Sequence, residues 1–328
     1  MRTKPVLIEP VGHGPKFSRR AVLRGASGLF FSLAVAGSSR ADTMALNIVE
    51  VAPGVYVHQG HVELQSPTNL GDMSNAGFVV GDVGVAVIDT LGSAKMGAAL
   101  RAAIRSVTDK PIVYVINTHM HPDHVFGNAA FLQDNATFVG HRKLAAGLLA
   151  RADSYLQSSQ QMMGAEALQG TQVITPSLDV FDHHVLDLGG RQLTCRAQPT
   201  AHTDNDLIVT DSKTGVTFLG DLLFDTHIPT IDGSARGWLQ TIDKLQGQSL
   251  THVVPGHGEP LMKSPEAFNS VKRYLQQLIT DVKQDIQSGK SMADSVNTAG
   301  LSEQNRWDLF EQYHKRNVTA VYAEIEWE

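Results

Sequence analysis

"NTHMHPDHVFGN" (residues 117–128) packs His119, His121, Asp123 and His124 into six positions. The run that leads into it, "PIVYVINTH" (111–119), is apolar and β-branched, and reads as a buried strand. On extended backbone, residues two apart face the same side, so His119 and His121 point together. A turn through Pro122 then lets Asp123 and His124 face a second point. One short segment can therefore feed two metal ions but complete neither coordination sphere, since a catalytic zinc usually takes three protein ligands and a water.

The missing ligands are expected at the ends of other apolar runs. "CRAQPTAHTDND" (195–206) offers His202, "VTFLGDLLF" (216–224) offers Asp221, and "THVVPGHGEP" (251–260) offers His257. Two sets result: His119, His121 and His202 for one metal, and Asp123, His124 and His257 for the other, with Asp221 able to bridge them. Imidazole and carboxylate donors without a thiolate suit two zinc ions, and iron and manganese accept the same donors. Two divalent cations sharing a water lower its pKa towards neutrality, which gives a bridging hydroxide able to attack a carbonyl. Asp123 would orient that hydroxide or accept its proton as well as bind metal. Asp206, four residues beyond His202, is a candidate orienting residue behind the ligands.

The "HxHxDH" at 119–124, His202, Asp221 in "LGD" and His257 in "PGHG" resemble the metallo-β-lactamase fold superfamily. Asp89 in "VAVIDT" resembles that superfamily's first motif, an aspartate close to the site that is not usually a ligand. The resemblance implies a four-layer αβ/βα sandwich with a dinuclear zinc site in the groove between its sheets. A narrower likeness adds "VAPGVYVHQG", "INTHMHPDHVFGNAAF", "AHTDNDL", "LGDLLF" and "YHKRNVTAVYAEIE". These stretches are similar to SoxH-related zinc metallohydrolases of quinoprotein relay systems, which implies a periplasmic enzyme linked to a quinoprotein dehydrogenase or to sulfur oxidation.

The rest of the chain fits an α/β protein. Short β runs flank Pro53-Gly54 and Gly81-Asp82, and a polar stretch at 61–75 reads as a surface loop. Met96, Leu100 and Ile104 share a helix face over 93–108, and 141–168 is expected to be helical. β runs return over 171–225, followed by helices at 234–247, from Ser264-Pro265 to 289, and over 303–328. Strands then helices, twice over, predict two packed sheets covered by helices on both outer faces.

Residues 17–41, "FSRRAVLRGASGLFFSLAVAGSSRA", place Arg19-Arg20 before a short apolar run, the pattern of a twin-arginine signal peptide covering 1–41. The hydrolase domain, with its C-terminal helices, is then expected over 42–328. The apolar run is too short to span a membrane, so no stable membrane anchor is expected. Residues 1–41 hold seven Lys/Arg and one Glu, so their removal takes the formal net charge from −6 to −12. A chain this acidic repels nucleic acid, and a small-molecule substrate is expected instead. The single cysteine, Cys195, excludes an intrachain disulfide and reads as a buried apolar residue.

Asp221 discriminates among reactions. The zinc β-lactamases usually carry Cys or Ser at this position, whereas thioesterases of the glyoxalase II type carry the bridging aspartate, so the resemblance favours a thioester or ester-like substrate. Three other readings remain open at this point: a class B-like β-lactamase, an iron persulfide dioxygenase using His119, His202 and Asp221, and a non-catalytic carrier of a quinone or a protein partner. His58, His61 and His141 stand near the predicted loops and strand ends, and His183, His184, His227, His252 and His314 read as surface or packing residues.

Overall fold

The computed structural model describes residues 46–327. The export signal expected over 1–41 lies outside the described residues. Every predicted β run from 48 to 88 forms: β1 (Ile48–Ala52), β2 (Val55–His58), β3 (Ala76–Val80) and β4 (Val85–Ile88). With β5 (Ile112–Ile116), β6 (Thr137–His141) and β7 (Leu178–Val180) they make a seven-stranded sheet in chain order. β8 (His183–Asp187), β9 (Gln192–Ala197), β10 (Leu207–Asp211), β11 (Thr217–Phe224), β12 (His252–His257) and β13 (Met262–Lys263) make a second sheet ordered β13-β12-β11-β10-β9-β8.

The first sheet is antiparallel from β1 to β4 and parallel from β4 to β7. Parallel neighbours need crossovers. These are α1 (Ala94–Val107), the histidine segment with α2 (Pro122–Val125) and a 3-10 stretch (Phe126–Asp134), and α3 (Leu144–Met163). In the second sheet, α4 (Ala235–Gln246) joins the parallel pair β11 and β12. α5 (Asn269–Gln287), α6 (Met292–Ser295) and α7 (Phe310–Ile325) follow. The metal-ligand candidates therefore gather where parallel strands end, the edge at which open α/β sheets usually bind ligands.

Apolar layers account for the stacking. Val57, Ile88, Ile116, Cys195, Val209 and Phe218 fill the space between the sheets. Met96, Leu100 and Ile104, spaced four apart as predicted, seal α1 onto the outer face of the first sheet. Ser93 starts that helix by accepting the Met96 N–H. Trp238, Tyr274, Leu278 and Val318 pack α4, α5 and α7 against the second sheet. The expected sandwich with helices on both outer faces is the observed one.

Two helix boundaries differ from expectation. The helix predicted over 141–168 is shorter, because His141 pairs with Val180 in the first sheet and Gly164, at φ 84°, ends the helix after Met163. The helix predicted over 303–328 is interrupted. Asp308 bridges to His227 and Leu309 takes φ 59°, so α7 begins only at Phe310. Among the described residues, no helix is long and apolar enough to cross a membrane.

One ion-pair clamp ties α1 to the segment behind the histidines. Asp134 accepts Arg101 Nε at 2.7 Å and Arg101 and Arg105 Nη2 at 2.9 Å each. Burial pushes its carboxyl up, but the hydrogen bonds from both arginines outweigh burial and hold it below the usual carboxylate range. Asp134→Asn is expected to cost about 1–2 kcal/mol, the range for hydrogen bonds to a charged group that is only partly shielded. A depressed folded pKa contributes stability above the unfolded value near 3.8 and loses it as pH falls through the folded value. Denaturant unfolding of the two proteins should therefore differ at pH 7 and converge in acid; an equal gap at both pH values sinks the clamp.

Candidate metal centre

The "HxHxDH" segment leaves β5 and is steered by Asp89, which sits just past β4 at φ 57°. Asp89 accepts the backbone N–H of Thr118 at 2.8 Å and the Thr118 hydroxyl at 2.7 Å. It also accepts His124 Nδ1 at 2.8 Å. The Thr118 hydroxyl in turn faces His119 Nδ1 at 3.1 Å. One buried carboxylate thus orients a histidine in each predicted set, directly for His124 and through Thr118 for His119.

The other imidazoles are fixed in the same way. His202 Nδ1 faces the Thr230 carbonyl at 2.7 Å and His257 Nδ1 the Met73 carbonyl at 2.9 Å. His121 Nε2 faces Asp232 Oδ2 at 3.1 Å. In each ring the outer nitrogen faces an acceptor and the inner one faces the centre, the arrangement that frees the inner nitrogen for a metal once the ring is neutral.

Those inner nitrogens converge. His121 Nδ1 lies 3.1 Å from His119 Nε2 and 2.9 Å from His202 Nε2. Asp123 Oδ2 lies 3.5 Å from His124 Nε2 and 3.3 Å from His257 Nε2. Asp221 stands between the groups: Oδ1 is 3.1 Å from His124 Nε2, and Oδ2 is 3.4 Å from both His202 Nε2 and His257 Nε2 and 3.7 Å from His119 Nε2. All seven residues expected as ligands are therefore brought together, with Asp221 among the nitrogens of both sets.

Backbone geometry aims Asp221 inward. The β11–β12 pairing is irregular at Gly220, which takes φ 52° where a β-carbon would press on Thr118. At Gly256, near the end of β12, a β-carbon would overlap Asp221 Oδ1. Glycine at 256 makes room for the carboxylate, and glycine at 220 for Thr118.

Charge alternates through the centre. Burial pushes His202 down to about 3 and also lowers His119, where the neighbouring His124 adds to the effect. Burial acts the same way on His124 and His257, but Asp221 and Asp123 outweigh it and hold both up, His257 at about 9. Against the pull of burial, His124 and His257 hold the Asp123 and Asp221 carboxyls far below the usual range. His124 Nε2 and Asp221 Oδ1 are buried without a hydrogen-bond partner. Imidazole and carboxylate atoms crowded at about 3 Å, two of them buried without a hydrogen-bond partner, are what bound divalent cations would satisfy once the rings are neutral, so the residues fit the metals expected of them.

The family profile described as Metallo-beta-lactamase superfamily matches residues 70–257, which carry every one of these ligands. The chain belongs to that superfamily. It is 22% identical over 213 residues to a linear primary-alkylsulfatase of a Pseudomonas species, covering 54% of this chain and 40% of the other. It is 28% identical over 215 residues to the Bos taurus acyl-coenzyme A thioesterase MBLAC2, covering 57% of this chain and 74% of that protein. A solved metallo-beta-lactamase from Pontibacter korlensis superposes with a TM-score of 0.57 at 20% identity, over 70% of this chain and 99% of that one. The chain thus spans less than half the length of the alkylsulfatase.

The other predicted residues and some unpredicted ones complete the picture. Asp206 accepts the Thr203 N–H and hydroxyl, pinning the turn after His202 rather than a ligand ring, and burial pushes its carboxyl up to about 8. Asp232, which orients His121, was not expected, and neither was Thr118. His227 is buried against the His257 ring, with centroids 4.8 Å apart, and lines the cleft rather than the surface. His58 and His61 face Asp72 beside a separate depression. His141 accepts the Lys143 N–H away from the ligands. The cleft over the centre encloses about 510 Å³ and takes its walls from the 61–75 loop, α3 and α7.

Proposed function

We propose that this protein is a dinuclear zinc hydrolase acting on thioesters or similar ester-like acyl compounds. The observation that carries the reading is Asp221, whose carboxylate lies within 3.7 Å of nitrogens from both histidine sets, His119 and His202 in one and His124 and His257 in the other. The likeness to an acyl-coenzyme A thioesterase over most of that enzyme's length supports it. In this reading His119, His121 and His202 hold one ion, Asp123, His124 and His257 the other, and Asp221 both. Zinc ions, if held by these residues, would supply a water acidified to near neutrality and a Lewis acid for the scissile carbonyl.

The chain's own residues do the rest. Asp123 is the more open of the two carboxylates, with 14% of its side chain exposed against 3% for Asp221, and it lines the cleft, where it can accept a proton from the attacking water. Asp89 and Asp232 keep the ligand rings in one tautomer. Water adds to the carbonyl carbon, the carbon–sulfur bond breaks, and the sulfur leaves as thiolate. Export of the folded enzyme by the residue 1–41 signal, and work beside a periplasmic quinoprotein or a sulfur-oxidation system, belong to the same proposal.

A sulfate ester is the second reading, favoured by the likeness to the alkylsulfatase. The test offers the zinc-loaded protein a glutathione thioester, a chromogenic cephalosporin and an alkyl sulfate in parallel. Turnover of the thioester at least a hundredfold faster than the other two is expected. A faster cephalosporin makes the protein a β-lactamase, and a faster sulfate makes it a sulfatase. One iron per chain instead of two zincs marks a persulfide dioxygenase.

A further inference from the structure

The long helix beside the centre is graded along one face. Arg151, Tyr155, Ser159 and Met162 follow one another in α3 at spacings of four, four and three, so they share a stripe. Tyr155, Ser159 and Met162 line the cleft. The Tyr155 ring lies 6.4 Å from that of His121, which places the middle of the stripe over the metal ligands. At the Met162 end, Gln65 from the 61–75 loop reaches Sδ at 3.2 Å and closes that side. Eleven residues at 1.5 Å each separate the two ends by about 16 Å.

The Arg151 end carries the charge. Asp232 Oδ2 takes the His121 N–H at 3.1 Å and lies 3.6 Å from Arg151 Nη2. Its Oδ1 lies 3.4 Å from Arg316 Nη2, from α7. One carboxylate, already engaged by an imidazole, faces two guanidinium groups, so a positive charge is left over at the rim. The side chains of Arg316 and Arg151 are 60% and 40% exposed, and Arg316 lines the cleft. A guanidinium has five donors in a planar fork, and Arg316 uses one of them on Asp232. The remainder make no hydrogen bond to Asp232, and a planar fork of this kind suits a bidentate oxyanion.

We propose that Arg316, backed by Arg151, is the specificity-determining anion subsite of the cleft. It would select substrates bearing a carboxylate or sulfonate group on the Arg316 side of the scissile bond and an apolar portion extending towards Met162. This rests on the reading of the cleft as a hydrolase site. Asp232 then has two tasks: it fixes His121 and sets the two arginines at the rim.

The zinc-loaded protein is titrated calorimetrically with hexane-1-sulfonate and with the uncharged hexyl methyl sulfone. The sulfonate is expected to bind at least tenfold more tightly. Arg316→Gln should remove that preference, and Arg316→Lys, which keeps the charge but not the fork, should retain part of it. Equal affinities in the parent protein, or a preference that survives Arg316→Gln, overturn the subsite, the latter because the sulfonate is then held by the metals. Thioester turnover is followed on the same preparation. Turnover without the sulfonate preference removes only the subsite; an Arg316-dependent preference without turnover removes the hydrolase reading and leaves the subsite standing.

Discussion

Asp221→Ala should reduce the zinc content from two ions per chain to one or fewer and lower kcat/KM at least about a thousandfold, roughly 4 kcal/mol of transition-state stabilisation. Among the described residues, Asp221 is the one carboxylate within 3.7 Å of four of these nitrogens, those of His119, His124, His202 and His257. Removing it takes an oxygen donor from both positions and leaves five crowded imidazoles with less negative charge to hold two cations. Metal content by atomic emission and turnover of the preferred acyl substrate are the measurements, with circular dichroism to show that the sandwich persists. Alanine fits the space, because Gly256 already makes room there for the larger carboxylate. Two zincs retained with activity within tenfold of the parent would mean that Asp221 does not bridge, and the preference for thioesters over β-lactams would lose its basis.

The contrast between Asp221 and Asp232 shows what a sequence can reveal about such a centre. Asp221 was legible because metal ligands cluster at the ends of apolar runs, and "VTFLGDLLF" puts a carboxylate inside one. His119, His121 and His124 announced themselves by spacing alone. Asp232 lies 111 residues from the histidine it orients, in an ordinary turn sequence, and only the fold joins them. The acceptors behind His202 and His257 are the backbone carbonyls of Thr230 and Met73, which any residue could supply, so they leave no trace in residue type. Thr118 could have been found: a hydroxyl beside a ligand histidine is a ready relay to a buried acid.

The same distinction governs the fold. Met96, Leu100 and Ile104 fixed α1 by local period, and the β runs up to Ile116 followed from alternation and turn residues. The break before α7 came from outside its own segment. Asp308 donates its N–H to the Thr226 carbonyl and accepts the Ile228 N–H, tying Trp307–Leu309 to the loop after β11 at the expense of helical bonds. Tertiary pairing overrode a helical period. The result matters for the cleft, because it orients α7 so that Tyr313 and Arg316 reach the site.

Removing the metals should lower the melting temperature by roughly 10 °C, and the gap should widen as pH rises from 6 to 9. Free zinc at about a thousand times its dissociation constant contributes about 4 kcal/mol to stability, and a domain of this size shifts by roughly 2–4 °C per kcal/mol. The pH trend follows from the charges. In the metal-free protein His257 is raised to about 9, so its ion pair with the two aspartates contributes stability below the unfolded value of 6.5 and loses it as pH climbs through 9. His202 works the other way: pushed down to about 3, it costs stability as pH falls below 6.5 and it must fold uncharged. Metal-free stability from these two residues therefore peaks near pH 6.5. Zinc requires both rings deprotonated, so its affinity strengthens over the range where the His257 ion pair fails. Thermal unfolding of zinc-loaded and chelator-treated protein across that range measures the gap. A gap that stays constant or narrows towards pH 9 would mean that the metals do not bind through these imidazoles.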